Sequence, residues 1–277
     1  MTSPIVDAGW LKENFKNVKI IDATVTMGAK MEKEVFKAKY WADFELTGRE
    51  FAEPAYESEH IAGAVHFNFM SAYYPSKFIK YDLYEPEIFT QYAQLLGINQ
   101  NDHIVVYSRG PLAGVLFASR VLWTFKVYGF DKVSVLDGGL EAWKKIGGEV
   151  NSDKVTVPKG DVAMKSVDPD LLAKAAGIFN GDQPSGFPPT KGHHVEGALN
   201  FPCGNLVNGE GFKSTEEVDK AIQQSPEIKA KPVITACNAG IQASLTFVAL
   251  LRSGIKAKVY NGSFYELFNR APELINS

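Results

Sequence analysis

The sequence contains few cysteines and no long apolar run. Its 277 residues include two cysteines, Cys203 and Cys237, so a disulfide scaffold is excluded and a reducing compartment is favoured. No apolar run reaches the roughly 18 residues that a transmembrane helix needs. The opening MTSPIVDAGW has neither a basic stretch before an apolar one nor an arginine-rich amphipathic pattern, which argues against a targeting segment. We therefore expect a cytoplasmic protein that does not bind a membrane.

The sequence also lacks a charge excess. It has 29 lysines and arginines against 32 aspartates and glutamates, for a net charge of −3. No basic block is present that would follow a nucleic-acid backbone, so a nucleic-acid partner is not expected. Hydrophobic residues make up 45% and charged residues 22% of the chain, which is typical of folded globular proteins. At about 150 residues per domain, the length predicts about two domains.

An internal repeat relates the two halves of the chain. The pattern H-x-x-G-A occurs at His60–Ala64 and again at His194–Ala198. Further along each half, Val135–Gly139 corresponds to Val259–Ser263. The markers occur in the same order with slowly changing spacing, which indicates a duplication.

Short runs rich in valine and isoleucine alternate with longer helix-like stretches. Such runs are too short for helices and lack polar alternation, so we interpret them as strands buried on both faces. Their alternation with helices predicts an α/β fold in which each half is a parallel sheet flanked by helices. In the first half, the expected strands are Lys19–Ala23, Ala64–Phe67, Ile104–Tyr107 and Val133–Leu136. The expected helices there are Pro86–Leu96, Gly114–Val127 and Leu140–Lys145.

The predicted domains are residues 1–148 and 161–277, with a Gly- and Pro-rich linker at 149–160. The halves differ at one place. The second half has no convincing counterpart of the strand Lys19–Ala23, because Leu171–Ile178 is rich in Ala and Leu and is typical of a helix. We therefore expect the second sheet to have one strand fewer.

Cys237 is the candidate nucleophile. It follows the predicted strand Val233–Ala236 and precedes a loop made of Asn238, Ala239, Gly240, Ile241 and Gln242, with a helix expected from Ala243. A loop at a helix N-terminus directs backbone N–H groups at its centre, which stabilises a thiolate. The alternative is a cysteine buried for packing. The first half has Ser108 at the matching position, and Cys203 lacks a following helix start, so we expect it to be an ordinary thiol.

Several motifs together resemble the tandem-domain rhodanese family of sulfurtransferases, which includes thiosulfate sulfurtransferase and 3-mercaptopyruvate sulfurtransferase. The motifs span nearly the whole chain and follow the family's order. They are Tyr56–Ala64, Leu136–Trp143, His194–Pro202, Cys237–Gln242 and Val259–Phe268.

The resemblance implies that the first domain lacks the catalytic cysteine and that Cys237 takes sulfur from a small donor as a persulfide. A thiol such as glutathione or thioredoxin, or cyanide, would then remove the sulfur. The resemblance implies no cofactor and no metal. An alternative hypothesis is a catalytically weakened or non-catalytic protein of this fold that carries sulfur or binds a partner.

The sequence departs from the family's pattern in the donor pocket. Asn238 and Ala239 make the loop neutral, which resembles the mercaptopyruvate type more than the thiosulfate type. Ile178 and Asn180 occupy positions where the family has arginines, and no arginine occurs between Arg120 and Arg252. Lys191 is the nearest candidate cation, and low activity with small anionic donors is expected.

Two further residues are candidates for substrate contact or proton relay. His60 matches a family position to which a relay role is sometimes assigned, although a loop histidine that hydrogen-bonds the following turn is the simpler interpretation. Arg109 lies on the first-half loop that corresponds to the loop of Cys237. The histidine and cysteine spacing does not predict a zinc site.

Overall fold

The computed structural model describes residues 2–28, 31–173, 197–226, 228 and 232–275, and the backbone alone of 185–186 and 189–190. No helix in these ranges is both long enough and apolar enough to cross a bilayer.

The first half of the chain alternates short strands with helices. Its strands are β1 (Ile5–Val6), β2 (Lys19–Asp22), β3 (His60–Ile61), β4 (Val65–His66), β5 (Tyr73–Tyr74), β6 (Asp82–Leu83), β7 (Ile104–Tyr107), β8 (Val133–Leu136) and β9 (Val150–Asn151). Its α-helices are α1 (Ala8–Asn14), α2 (Lys33–Lys39), α3 (Phe44–Glu50), α4 (Pro54–Ser58), α5 (Phe69–Ala72), α6 (Pro86–Leu95), α7 (Leu116–Val127) and α8 (Gly139–Lys145). All seven strands and helices predicted for this half are present, with ends that differ by at most two residues. The sequence analysis did not predict β1 or α1 to α5.

Five of these strands form one parallel sheet in the order β1-β8-β7-β2-β4. Every residue of β7 and β8 is buried. In β7, Ile104 and Val106 belong to the apolar cluster that contains α7, whereas Val105 and Tyr107 belong to the cluster that contains Leu140 of α8. Successive side chains thus enter cores on opposite faces, as expected for a parallel sheet covered by helices on both sides.

The second half repeats this architecture on a smaller scale. Its described strands are β10 (Leu172–Ala173), β11 (Ser185–Gly186), β12 (Pro189–Thr190), β13 (Val233–Thr235) and β14 (Ala257–Tyr260). Its described α-helices are α9 (Thr215–Gln223), α10 (Ile241–Arg252) and α11 (Ser263–Arg270). Three of the strands form a parallel sheet in the order β10-β14-β13, while β11 and β12 pair antiparallel.

The interpretation of Leu171–Ile178 as a helix is wrong at its start. Leu172 pairs with Val259 and Ala173 with Tyr260, so these two residues form a parallel strand. The pairing of β10 with β14 corresponds to that of β1 with β8 in the first half. Helix propensity failed here because an edge contact with β14 outweighs the weak local preference of Leu and Ala. The expected site of the missing strand continues into residues 174–178, which lie outside the described residues, so the missing strand stays a prediction.

The two halves share one hydrophobic core. Helix α7 packs against helix α10, and a single cluster of buried residues includes Trp123 from the first half and Val248 from the second. The indole N–H of Trp123 donates to the Leu171 carbonyl (3.0 Å). The Phe212 N–H donates to Oδ1 of Asp137 (2.7 Å). The halves are therefore held by apolar packing and by hydrogen bonds that cross between them.

The chain leaves the first half gradually. Within the predicted linker, β9 pairs antiparallel with β3. Beyond it, the N–H of Gly160 donates to the Gln94 carbonyl (2.8 Å) and that of Asp168 to the Val127 carbonyl (2.8 Å). Residues 160–168 therefore stay attached to the first half, and the domain boundaries at 148 and 160 stay a prediction.

We expect residues 161–277, expressed alone, to show no cooperative thermal unfolding. Separation exposes the face of α10 that packs against α7, and this apolar area has no other partner in the fragment. Circular dichroism during a thermal scan measures this, with the full chain as the control. A soluble fragment with a sharp transition would contradict the shared core.

Candidate active site

The loop between β13 and α10 carries Cys237. β13 ends at Thr235, and α10 begins at Ile241, two residues earlier than predicted from the apolar periodicity. Gly240 is the N-cap of α10 and has a left-handed backbone (φ +83°). The turn is therefore complete at Gly240, and Ile241 and Gln242 belong to the first helical turn rather than to the loop.

Gly240 brings a backbone donor to the cysteine sulfur. Its N–H donates to Sγ of Cys237 over 3.2 Å. A Cβ at this position would lie 2.8 Å from the Asn261 carbonyl oxygen and 3.0 Å from Nη1 of Arg120. Both the backbone conformation and the space thus require glycine. The donor is fixed in place, as stabilisation of an anionic sulfur requires.

The N-terminus of α11 holds the loop backbone. The Phe264 N–H donates to the Cys237 carbonyl and the Tyr265 N–H to the Asn238 carbonyl, each over 3.0 Å. The Cys237 N–H donates to Oγ of Ser263 (3.2 Å), and that hydroxyl donates to the Tyr260 carbonyl (2.7 Å). Otherwise unpaired N–H groups of one helix therefore orient the loop that begins the other helix.

Cys203 also lies near this site. It begins a 3₁₀ turn, Cys203–Leu206, which the sequence analysis did not predict, and it packs at the border of the same apolar cluster as Cys237. Burial raises the pKa of the Cys203 thiol, and the nearby Cys237 raises it further. Cys203 is therefore the poorer thiolate at neutral pH.

The corresponding loop of the first half cannot present a nucleophile. Ser108 follows β7 as Cys237 follows β13, but its side chain is fully buried. Its hydroxyl donates to the Gly114 carbonyl over 2.6 Å. Cys237 in contrast is only half-buried, so the structure leaves one of the two related loops accessible.

His60 lies in strand β3 and not in a loop, and it is 1% exposed. Its Nδ1 contacts the Tyr56 carbonyl (2.9 Å), and its ring stacks on the Tyr56 ring with centroids 4.3 Å apart. It therefore contacts the preceding helix α4 and not the following turn, as the simpler interpretation had it. A cavity of about 720 Å³ is lined by His60, His66 and residues 152–157, all within the first half and the predicted linker.

Arg109 is bound at the edge of the first sheet. Its Nη2 lies 3.7 Å from Oδ2 of Asp22 and donates to the Glu59 carbonyl. Lys191, Ile178 and Asn180 lie outside the described residues. The structure thus places Arg109 and His60 among first-half residues and describes Cys237 and its loop directly.

Sequence analysis missed Arg120, a fully buried arginine of α7. Its Nη2 donates to Oδ1 of Asn261 (2.7 Å) and to the Tyr81 carbonyl (3.0 Å), and its Nη1 lies 3.5 Å from the Gly240 carbonyl. The available signal was a charged residue within an otherwise apolar helix, where the matching position of the second half is Leu245. Within the described residues, no group of three or more His, Cys, Asp or Glu side chains could hold a metal ion.

Comparison with known proteins identifies the fold family. A model of the rhodanese-like domain matches residues 7–146 and 183–269. The chain is 38% identical over 272 residues to the Caenorhabditis elegans protein named "Putative thiosulfate sulfurtransferase mpst-4", which covers 98% of this chain and 86% of that one. It is 28% identical over 291 residues to the 3-mercaptopyruvate sulfurtransferase of Escherichia coli K12, covering 98% of this chain and 96% of the relative.

The structural comparison agrees with these sequence matches. The crystal structure of SseA from Escherichia coli, reported for the rhodanese fold and the mechanism of 3-mercaptopyruvate sulfotransferases, superposes with a TM-score of 0.70 at 27% identity. The match covers 95% of this chain and 99% of SseA. Two parallel sheets flanked by helices, a thiol at the end of a strand and the family model together show that the chain belongs to the rhodanese-like family.

Proposed function

We propose that the protein is a sulfurtransferase of the 3-mercaptopyruvate or thiosulfate type with Cys237 as its nucleophile. The observation that carries this proposal is the half-buried Cys237 sulfur with the Gly240 N–H 3.2 Å away, at the start of α10. The related loop of the first half holds the buried Ser108 instead. The names of relatives aligned over nearly the full chain support the same class of reaction.

The reaction consists of two displacements on sulfur. The Cys237 thiolate attacks the outer sulfur of the donor and forms an S–S bond. The bond from that sulfur to the rest of the donor breaks, so thiosulfate leaves as sulfite and mercaptopyruvate as the enolate of pyruvate, which takes up a proton. An acceptor thiolate or cyanide then attacks the outer sulfur of the persulfide and releases the Cys237 thiolate.

The loop can support both anionic forms of the sulfur. The Gly240 N–H donates to Sγ, and the positive end of the α10 dipole lies at the same place. These groups are fixed by the fold and need no rearrangement during the reaction. No step requires a cofactor. Because Cys237 is half-buried, we propose a small thiol such as glutathione, an exposed thiol of a protein such as thioredoxin, or cyanide as the acceptor.

Neutral loop residues favour mercaptopyruvate over thiosulfate. Asn238 and Ala239 offer no charge, and thiosulfate carries two negative charges against one carboxylate on mercaptopyruvate. An arginine contact to such a group is worth roughly 1.5–3 kcal/mol, about ten- to a hundredfold in binding or rate. The sequence has Ile178 and Asn180 at the positions where the family has arginines, so we propose weak turnover with both donors and weaker turnover with thiosulfate.

Cys237 should react with iodoacetamide at least several-fold faster than Cys203 at pH 7. Burial raises the pKa of Cys203, so a smaller fraction of that thiol is ionised, whereas the Gly240 N–H supports the Cys237 thiolate. Peptide mass spectrometry after timed labelling measures both rates in one sample. A Cys237→Ser variant assigns the fast site, and equal rates at the two thiols would contradict the assignment.

Incubation with mercaptopyruvate should add about 32 Da, one sulfur atom, to the Cys237 peptide, and kcat/KM should be higher for mercaptopyruvate than for thiosulfate. The physical reason is the smaller donor charge facing a neutral loop. Steady-state assays with a thiol acceptor measure the ranking, with Cys237→Ser as the inactive control.

Two results of these assays would count against the proposal. A thiosulfate efficiency equal to or above that of mercaptopyruvate would overturn the donor ranking. Sulfur uptake by Cys237 without turnover would favour a sulfur carrier of the same fold over an enzyme.

A further inference from the structure

The duplication places an arginine in one half where the other has a leucine. Ala118-Ser119-Arg120 of α7 corresponds to Ala243-Ser244-Leu245 of α10. The serines confirm the alignment, since Oγ of Ser119 donates to the Val115 carbonyl (2.7 Å) and Oγ of Ser244 to the Gly240 carbonyl (2.8 Å). Arg120 and Leu245 are both fully buried. The equivalent positions therefore differ by one buried positive charge, and that charge belongs to the half without the cysteine.

Arg120 crosses the contact between the halves to reach the loop of Cys237. Its Nη2 joins Oδ1 of Asn261, which directly follows β14, to the Tyr81 carbonyl, which directly precedes β6. The Asn261 amide closes this junction by donating to the same Tyr81 carbonyl (3.1 Å). Nη1 lies 3.5 Å from the Gly240 carbonyl. The guanidinium thus contacts the residue whose N–H donates to the cysteine sulfur.

The surroundings of the guanidinium leave its charge only partly compensated. Its planar group lies over the rings of Tyr73 (4.8 Å) and Trp123 (4.5 Å). Its hydrogen-bond acceptors are two carbonyls and an amide. Asp82 is the carboxylate that senses its charge: burial raises the pKa of Asp82, and Arg120 is among the groups that oppose the rise.

A buried cation without a carboxylate in direct contact is unfavourable for folding, and a leucine would fill this place without that penalty. The second half uses a leucine at the equivalent position, which shows that the helix does not need a charge there. An anion formed close to the guanidinium would compensate it. The Cys237 thiolate, held by Gly240, is the anion that the loop is built to carry.

We propose that Arg120 is a positioning residue for sulfur transfer, which fixes Gly240 against Cys237 and supplies positive charge to the thiolate and the persulfide from the opposite domain. The proposal rests on the proposed function for the sulfur-transfer step alone. It predicts that the two halves must stay docked for Cys237 to react, since the residue that supports the nucleophile comes from the half that lacks it.

The test compares Arg120→Leu, Arg120→Lys and Thr124→Val with the wild type. Leucine reproduces the side chain of the second half. Lysine keeps the charge but loses the planar fork. Thr124→Val is the matched control, because Thr124 lies one turn along the same helix and its hydroxyl bonds Tyr73 (2.7 Å) and the Arg120 carbonyl (3.0 Å) without reaching the loop. It weakens the same part of the core and leaves the guanidinium in place.

Alkylation of Cys237 at pH 7 is the first measurement, with Cys203 in the same molecule as an internal reference for loosening of the fold. We expect Arg120→Leu to slow Cys237 by about tenfold, as loss of a charge-assisted contact implies. Arg120→Lys should recover part of the rate, and Thr124→Val should match the wild type while lowering the melting temperature. Wild-type alkylation in Arg120→Leu, or equal slowing in Thr124→Val, would overturn the proposal.

Single-turnover sulfur uptake from mercaptopyruvate is the second measurement. The maximal rate of persulfide formation should fall about tenfold in Arg120→Leu, with less than a twofold change in the donor concentration at half-saturation, because Arg120 supports the nucleophile and does not touch the donor. A change confined to half-saturation would overturn the positioning role. Absence of sulfur uptake in the wild type would refute the proposed function, and the alkylation series would still decide the role of Arg120.

Discussion

The contact between the Gly240 N–H and the Cys237 sulfur is the interaction on which the site depends. It exists because the chain turns from β13 into α10 within a few residues, and the left-handed backbone of Gly240 completes that turn. The same residue is enclosed by the Asn261 carbonyl and the Arg120 guanidinium. A side chain at this position would displace one of them, so the turn and the packing around it depend on the same missing Cβ.

The duplication explains why a thiol and its support come from different halves. Helices α7 and α10 follow equivalent loops and pack against each other, so each helix faces the loop of its partner as well as its own. In the first half this geometry holds a buried serine that is hydrogen-bonded to the backbone. In the second it holds an accessible cysteine. Arg120 and Leu245 follow the same division, with the charged residue directed at the loop that forms an anion.

Local patterns in the sequence were enough to find the fold and the nucleophile. The strands Ile104–Tyr107 and Val133–Leu136 were predicted to the residue, because buried parallel strands are continuous apolar runs. Cys237 and Gly240 were found from their place between a strand and a helix. The start of α10 was set two residues late, because apolar periodicity locates the buried face of a helix and not the N-cap that begins it.

Contacts between distant residues could not be read from the sequence. Strand β10 has two residues and exists through its pairing with β14, so its own composition indicated a helix. Arg120 contacts Asn261 and Gly240, which are both more than a hundred residues away. The comparison of Ala118-Ser119-Arg120 with Ala243-Ser244-Leu245 was the one sequence signal for it, and its meaning depends on knowing that the two helices pack together.

The neutral loop and the buried arginine solve one electrostatic problem in two parts. A cation inside the loop would stabilise the thiolate and would also bind an anionic donor, so both effects would change together. Arg120 is fully buried and reaches the loop through the Gly240 carbonyl. Its field acts on the sulfur through a medium less polarisable than water, while the surface that meets the donor stays uncharged at Asn238 and Ala239. Nucleophile stabilisation is thereby separated from donor recognition, and the donor's charge must be met by residues other than those that hold the sulfur.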